Sequence, residues 1–422
     1  MKKITGLLIV LMALSQTSYS QLGISADFSP RAEYRHGYRR MPAENDKAAM
    51  NVNQRSRLIL NWRSENLITK FSFQDVRVWG QVPQKTPVPS MEVHEAWAEL
   101  LFNSALSLKI GRQELRYDNQ RFLAINDWIP QGQKHDVALL KYEGDAGKLH
   151  FGSAFNQEWG AFGRPFDTHY AENNYKYMNF LWYNTDITSD ANFSLLAIAD
   201  GYEEQKNARH NPMHVRGTLS GFLRYDLGDV SIMLNPAYQL GKTRTGQEIA
   251  AWYFRADAET QPGEGLRTTI GIEILSGNDP EDDAKFRAFD PTHGAGHANS
   301  GLMDYFTNYP VHTRGAGLAN PFIKNNIRIS PNTSASADLH LFFIQNDFRT
   351  YNTETDSFEQ INKYLGTELD LLINYRFNDF TRIIGGFSMM FGSESMEIIK
   401  GGSSNEPAYY AYILLRIRPK LL

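Results

Sequence analysis

The chain has 422 residues, with 43 Lys and Arg against 47 Asp and Glu, a formal charge of −4 and no cysteine. A disulfide framework, a thiolate metal site, a cysteine nucleophile and a lipid-bearing cysteine are therefore excluded, and the mildly acidic balance argues against nucleic acid as a partner. The mean hydropathy of −0.45 suits a soluble protein, but it also suits a transmembrane barrel, which shows lipid only every second residue.

The N-terminal stretch MKKITGLLIVLMALSQTSYSQ has two lysines, an apolar run from Ile4 to Leu14, and the small residues Ser18 and Ser20 before Gln21. It reads as a secretory signal peptide over 1–20, leaving 21–422 as the mature chain. Beyond it no long segment has a helical period. Runs of roughly 9–14 residues alternate apolar and polar positions instead, a length that lets a tilted strand cross hydrocarbon. In the first run Ile24, Ala26, Phe28 and Tyr34 oppose Asp27, Arg31, Glu33 and Arg35. Val215, Leu219, Leu223 and Tyr225 oppose His214, Arg216, Thr218, Ser220 and Arg224 further on, and Leu369, Leu371 and Ile373 oppose Glu368, Asp370 and Asn374.

Alternation alone fits a sandwich as well as a barrel, and the connections decide between them. Short links are expected at 64–66, 103–105, 144–147, 188–190, 227–229, 261–265, 330–332 and 377–379. Longer polar links fall near 37–50, 80–91, 114–135, 157–173, 201–213, 241–248, 276–318, 346–361 and 393–406. This strict rhythm predicts an all-β fold: an outer-membrane, up-and-down antiparallel β-barrel of about 18 strands, with short periplasmic turns and long extracellular loops. The last run, YYAYILLRIR, alternates as a closing strand should. One transmembrane domain accounts for the mature chain.

By parity the lumen receives Arg31, Arg35, Arg55, Arg57, Arg216, Arg255, Arg267, Arg328, Arg376 and Arg416, along with carboxylates such as Asp27, Glu33, Glu273 and Glu368. These groups either brace the wall as ion pairs or form a ring that favours anions. The segment GRQELRYDNQRFLAINDW (111–128) is too polar and irregular for a lipid-facing strand. Its composition favours folding into the lumen, with Arg112, Arg116 and Arg121 for charge, Gln113, Asn119 and Gln120 for hydroxyls, and Tyr117 and Trp128 as stacking faces. Arginine forks bind carboxylates bidentately, as a uronate or organic acid would require. The alternative is a loop pinned to the wall by pairs such as Arg116 with Asp118.

Across nearly its whole mature length the chain resembles the alginate-export family of outer-membrane barrels. The resemblance is carried by NQRSRLILNW (53–62), FSFQDVRVWG (71–80), VHEAWAEL (93–100), the 111–128 segment, IGIEILSGNDPED (270–282), FDPTHGAGHANSGLMDYF (289–306) and YLGTELDLLINYRFNDF (364–380). It implies an 18-stranded pore with an arginine-rich constriction that admits an anionic polysaccharide, the basic lining mapping onto Arg55, Arg57, Arg77, Arg112 and Arg121.

Other constellations rank lower. His293 and His297 stand four apart in HGAGH, but the two glycines between them indicate a loop, so no metal site and no cofactor are expected. NDPEDD (278–283) lacks the ligand spacing of a calcium loop. His94, His150 and His214 are candidate bases with no serine in a nucleophile motif nearby, so an enzyme is not expected. The sequence thus predicts an outer-membrane channel for anionic solutes, an alginate-like polysaccharide above all, with Arg55, Arg57, Arg77, Arg112, Arg116 and Arg121 as pore-lining residues. The alternatives are a barrel lipid hydrolase and a general porin for small organic acids. Expected partners are outer-membrane lipid and lipopolysaccharide, the anionic substrate, and a periplasmic protein that delivers polymer; the barrel is expected to be a monomer.

Overall fold

The computed structural model describes residues 21–422 apart from 87, 89, 159–173, 205–210 and 353–355. The signal peptide expected over 1–20 and most of the link expected over 157–173 lie outside the described residues.

The strands follow one another along the chain as β1 (Gln21–His36), β2 (Ala49–Arg63), β3 (Leu67–Val78), β4 (Met91–Leu101), β5 (Leu106–Gln113), β6 (His135–Gly144) and β7 (Gly147–Phe155). Next come β8 (Tyr177–Thr188), β9 (Ala191–Glu203), β10 (Met213–Leu227), β11 (Val230–Lys242), β12 (Glu248–Gly263) and β13 (Leu266–Leu275). The last are β14 (Leu318–Ser330), β15 (Thr333–Phe343), β16 (Arg349–Asn352), β17 (Ser357–Gln360), β18 (Tyr364–Arg376), β19 (Thr381–Gly392) and β20 (Ala408–Ile417). All but β16 and β17 join one 18-stranded sheet, and those two make a separate hairpin in the link between β15 and β18. Sheet neighbours are antiparallel, and β20 returns to β1, with Arg31 opposite Leu414 and Arg35 opposite Tyr410. Closure leaves no edge strand and pairs the backbone groups between strands, as hydrocarbon demands.

The links alternate between short and long, within a few residues of the expected positions. The largest departure at the short-turn end is at 261–265, where β12 continues to Gly263 through an irregularity after Thr260. Parity is also as expected. On β10 His214, Arg216, Thr218 and Ser220 are buried, while Val215 and Leu219 face outward and are exposed. The outward belt includes Leu140, Leu181, Leu195, Ile270, Ile323, Leu371 and Phe387, all exposed, as expected of a surface that meets lipid. Exposed aromatics flank it at both ends: Phe102, Tyr142, Tyr225, Phe377 and Phe380 by the short turns, and Tyr34, Trp79, Phe155, Trp252 and Phe391 by the long links. Such girdles sit at the two lipid-water boundaries. An arginine in place of Phe387, midway along β19, would cost about 2–4 kcal/mol at the bilayer midplane.

One irregularity bears on the lumen. The register between β3 and β4 shifts at Ser72 and Phe73, and both His94 and Glu95 end up buried. A bulge of this kind re-aims a side chain that strict alternation would turn outward.

Candidate functional site

The link from β5 to β6, residues 114–134, does not stay outside the barrel. It carries apolar side chains that need cover, and Leu115, Phe122 and Leu123 are buried. Tyr117 meets Phe180 and Trp182 edge-on at centroid distances of 5.3 and 5.0 Å, and its hydroxyl lies 3.0 Å from His150 Nδ1. Trp182 Nε1 donates to Asp118 at 3.0 Å, and Asn119 donates to Asn235 Oδ1 at 3.1 Å. These wall residues lie on β7, β8 and β11, so the segment crosses the lumen. Asp118, Gln120 and Asn126 adopt positive φ, a conformation that Asn and Asp tolerate better than most residues. Gly132 also has positive φ, and a Cβ there would stand 2.9 Å from His94 Cε1.

The link from β13 to β14, residues 276–317, folds in beside it. Ala124 N donates to His293 O at 3.0 Å, Ala295 N donates to Gln120 O at 3.0 Å, and Gln133 Nε2 reaches His293 O at 3.1 Å. The backbones come so close that a Cβ on Gly294 would lie 1.8 Å from the Arg121 carbonyl oxygen. The second segment is then tied to the wall. Met303 N donates to Glu368 at 2.7 Å, Leu302 N to Asp370 at 3.2 Å, and Arg255 to the Asn299 side chain at 2.6 Å.

The six candidate arginines fall into three groups. Arg55 and Arg57 point into the lumen from β2 and are buried. Arg55 lies between Asp27 at 2.7 Å and Asp127 at 2.8 Å, and Arg57 holds Gln74 Oε1 at 2.7 Å with Glu114 at 3.7 Å. Together they hold the first inward segment at Glu114 and at Asp127. Burial by itself would raise the Asp127 carboxyl, but the Arg55, Arg418 and Arg416 guanidiniums outweigh it and hold the group below the usual carboxylate range. Burial acts on Glu114 in the same sense and is outweighed by His94, Lys70 and Arg57. Arg121 is fully buried. Its Nε lies 2.8 Å from Glu273, its Nη1 donates to Ala295 O at 2.9 Å, and its guanidinium stands over the Tyr309 ring at 4.7 Å. Arg116 is exposed and has no ion pair among the described residues; Asp118, its candidate partner, is taken by Trp182.

Arg77 and Arg112 go elsewhere. Arg112 is still on β5, in step with Leu106, Leu108 and Ile110, and so faces outward at the long-link end, where it pairs with Asp136 at 2.9 Å. Arg77 is in step with Phe71 and Phe73 on β3 and pairs with Asp75 at 2.5 Å on the same outer rim. The stacking faces are occupied as well, with Trp128 covered by Arg31 at 3.8 Å and by His297 at 4.0 Å.

A second concentration of arginine lies at the short-turn mouth. Arg267, Arg328, Arg376 and Arg382 are exposed and line one concavity of about 600 Å³. Parity places the first three inside, and the pairing of Arg382 with Arg376 adds the fourth. Only the closed register shows that residues so far apart in sequence share one sector.

The histidines singled out for metal or base chemistry each meet a carboxylate. His293 lies 3.3 Å from Asp200 and His297 lies 2.7 Å from Asp304, so the two histidines serve different carboxylates. His94, Glu95 and Glu114 lie close enough to share a cation, but Lys70 already pairs with Glu95 and Arg57 with Glu114. His94, His150 and His214 contact Glu114, Glu143 and Glu204 rather than a serine hydroxyl.

Comparison with known proteins agrees with this architecture. The profile of the alginate-export family matches residues 20–392. Among curated proteins none matches the chain. Solved structures of the same fold include OccD3 (OpdP) of Pseudomonas aeruginosa, 14% identical over 94% of this chain and 92% of that one, with a TM-score of 0.57. OccAB1 of Acinetobacter baumannii is 12% identical over 95% and 97%, with a TM-score of 0.62. A BenF-like porin from Pseudomonas fluorescens Pf-5 is 12% identical over 95% and 99%, also with a TM-score of 0.62.

Proposed function

We propose a function on the premise that the chain belongs to the alginate-export family and is a porin-type channel of the Gram-negative outer membrane. It conducts anionic solutes, and its substrate class is a carboxylated, alginate-like polysaccharide. The short turns face the periplasm and the long links face outward, so the short-turn mouth is where a periplasmic delivery protein would present polymer. The barrel works as a monomer set in outer-membrane lipid and lipopolysaccharide.

One observation carries the reading. Most lumenal arginines are neutralised by carboxylates, but Arg116 on the inward segment and Arg328 and Arg382 at the mouth are exposed and have no ion pair among the described residues. Fixed positive charge on a narrow aqueous path raises the local concentration of anions and favours their passage. Conduction in a planar bilayer under a salt gradient tests this. The expected result is a reversal potential of anion-selective sign and a current reduced by an oligouronate. Cation selectivity, or no conductance together with lipid hydrolysis, would refute it. Sidedness has its own test: cysteines at Asp283 and Asn405 should react with an impermeant thiol reagent on whole cells, and cysteines at Asn66 and Asp229 should not.

A further inference from the structure

The short-turn mouth is electrostatically lopsided. Over β2 to β6 its wall mixes signs: Arg63 and Lys141 share a concavity with Glu65, Glu99 and Glu143, and Lys141 pairs with Glu99 at 2.8 Å. Over β12 to β19 the lining of the opposite concavity contains four arginines and no carboxylate. Arg267 has a distant partner in Glu259 at 3.6 Å, and Arg376 donates to the neutral Asn332 Oδ1 at 2.8 Å. Arg328 and Arg382 make no ion pair among the described residues.

The register sharpens the anomaly. Arg376 stands directly opposite Arg382, and Arg382 directly opposite Arg416, so three strands carry like charges in one row. Side chains in such pairs have Cβ atoms about 4.5–5.5 Å apart, and like charges there are destabilising. Arg416 finds Asp127 at 3.8 Å, but among the described residues no carboxylate pairs with Arg376 or Arg382. A wall that needed only stability would alternate signs here, as the opposite sector does. A bound anion removes the repulsion, and a guanidinium fork receives a carboxylate in bidentate geometry.

The rest of the lining indicates which anion fits. Asn326, Asn374, Ser330 and Ser334 offer amide and hydroxyl groups, and no aromatic ring lines the cavity. That mixture suits a hydroxyl-rich, carboxylated ligand rather than a lipid tail or an aromatic acid. From β13 to β19 the arginines span four inter-strand steps, roughly 19 Å at the usual strand spacing. One monosaccharide cannot bridge that distance, but a chain with a carboxylate on successive sugars can.

The geometry points to a docking cradle in this sector for a segment of polyuronate, which holds the polymer by several carboxylates at once before it threads the lumen. This deepens the functional reading above and rests on it for the choice of a uronate. Multivalent capture makes affinity depend steeply on ligand length, because each further carboxylate binds at a high effective concentration.

The test is equilibrium binding of a fluorescent uronate hexasaccharide to the full barrel in detergent, with monomeric glucuronate as competitor. Because no current is measured, the result is separate from that of the selectivity experiment. The hexamer should bind at least ten-fold more tightly than the monomer. Arg328→Gln with Arg382→Gln should weaken the hexamer at least ten-fold, and Arg382→Gln alone should weaken it more than Arg63→Gln in the mixed sector. Heat-modifiable migration on a gel checks that each variant is folded. Equal affinity for hexamer and monomer, unchanged binding in the double variant, or equal losses at Arg382 and Arg63 would overturn the cradle.

Discussion

Arginine is abundant both in the middle of the lumen and at its short-turn mouth, but it is used differently in the two places. In the middle, Arg55 is 3% exposed and lies between two carboxylates, and Arg121 is buried against Glu273 and two tyrosine rings. At the mouth, Arg328 and Arg382 are exposed and unpaired among the described residues. Desolvation explains the contrast. A guanidinium removed from water needs an opposite charge and hydrogen bonds, or the cost is several kcal/mol. A solvated one needs neither and is free to meet a ligand. Counting inward arginines therefore overstates the charge a solute feels, because what counts is the residue left after internal pairing.

The largest expected effect comes from breaking a buried pair. Arg121→Met would strand Glu273 in the packed centre and should cost about 3–5 kcal/mol, seen as a lower temperature of heat-modifiable migration. Adding Glu273→Gln should recover much of that loss. Had Arg121 been a solvated pore-lining charge, the single variant would be stable and the second change would do nothing.

Acid should act on the same middle region. The Asp127 carboxyl is held below its usual range, so its contribution to docking the inward segment is fully present above about pH 4 and is lost as pH falls through the depressed value. Current fluctuations should therefore increase at low pH as the segment loosens from Arg55. In Asp127→Asn they should already be raised at neutral pH and change little with acid. An acid response unaltered in that variant would remove Asp127 from the account.

Smaller effects are expected at the outer rim. Arg112→Glu breaks an exposed pair with Asp136, worth about 0–1 kcal/mol, and should leave ion selectivity where it was. A shifted reversal potential in this variant would mean that the field at the rim reaches the permeating ion. Raising the salt should shrink any such shift, since screening acts over about 8 Å at physiological ionic strength.

How much of this was legible in the sequence depended on the period of the signal. Strand faces have a period of two and turn residues mark the ends, so the eighteen strands, their parity and nearly all links could be read directly. Arg112 shows where that reading breaks down. Treating 111–128 as one segment too irregular for a strand puts Arg112 with the loop, whereas β5 runs on to Gln113 and parity turns Arg112 outward. Arg77 likewise keeps the outward step of Phe71 and Phe73. Composition favours the inward fold of 114–134, and there Tyr117, Asp118, Asn119 and Arg121 bond to the wall or the neighbouring link while Arg116 stays exposed; no local pattern distinguishes such a brace from a ligand contact. Arg267, Arg328, Arg376 and Arg382 lie on four strands, and only the closed register brings them together.

The central claim is that unpaired mouth arginines, and not the buried ones, set the preference for anions. Reversal potentials in planar bilayers under a fixed salt gradient test it most directly, comparing Arg328→Gln with Arg382→Gln against Arg121→Met with Glu273→Gln. The account predicts a clear loss of anion preference in the first pair and wild-type selectivity in the second. Selectivity kept in the first and lost in the second would contradict it.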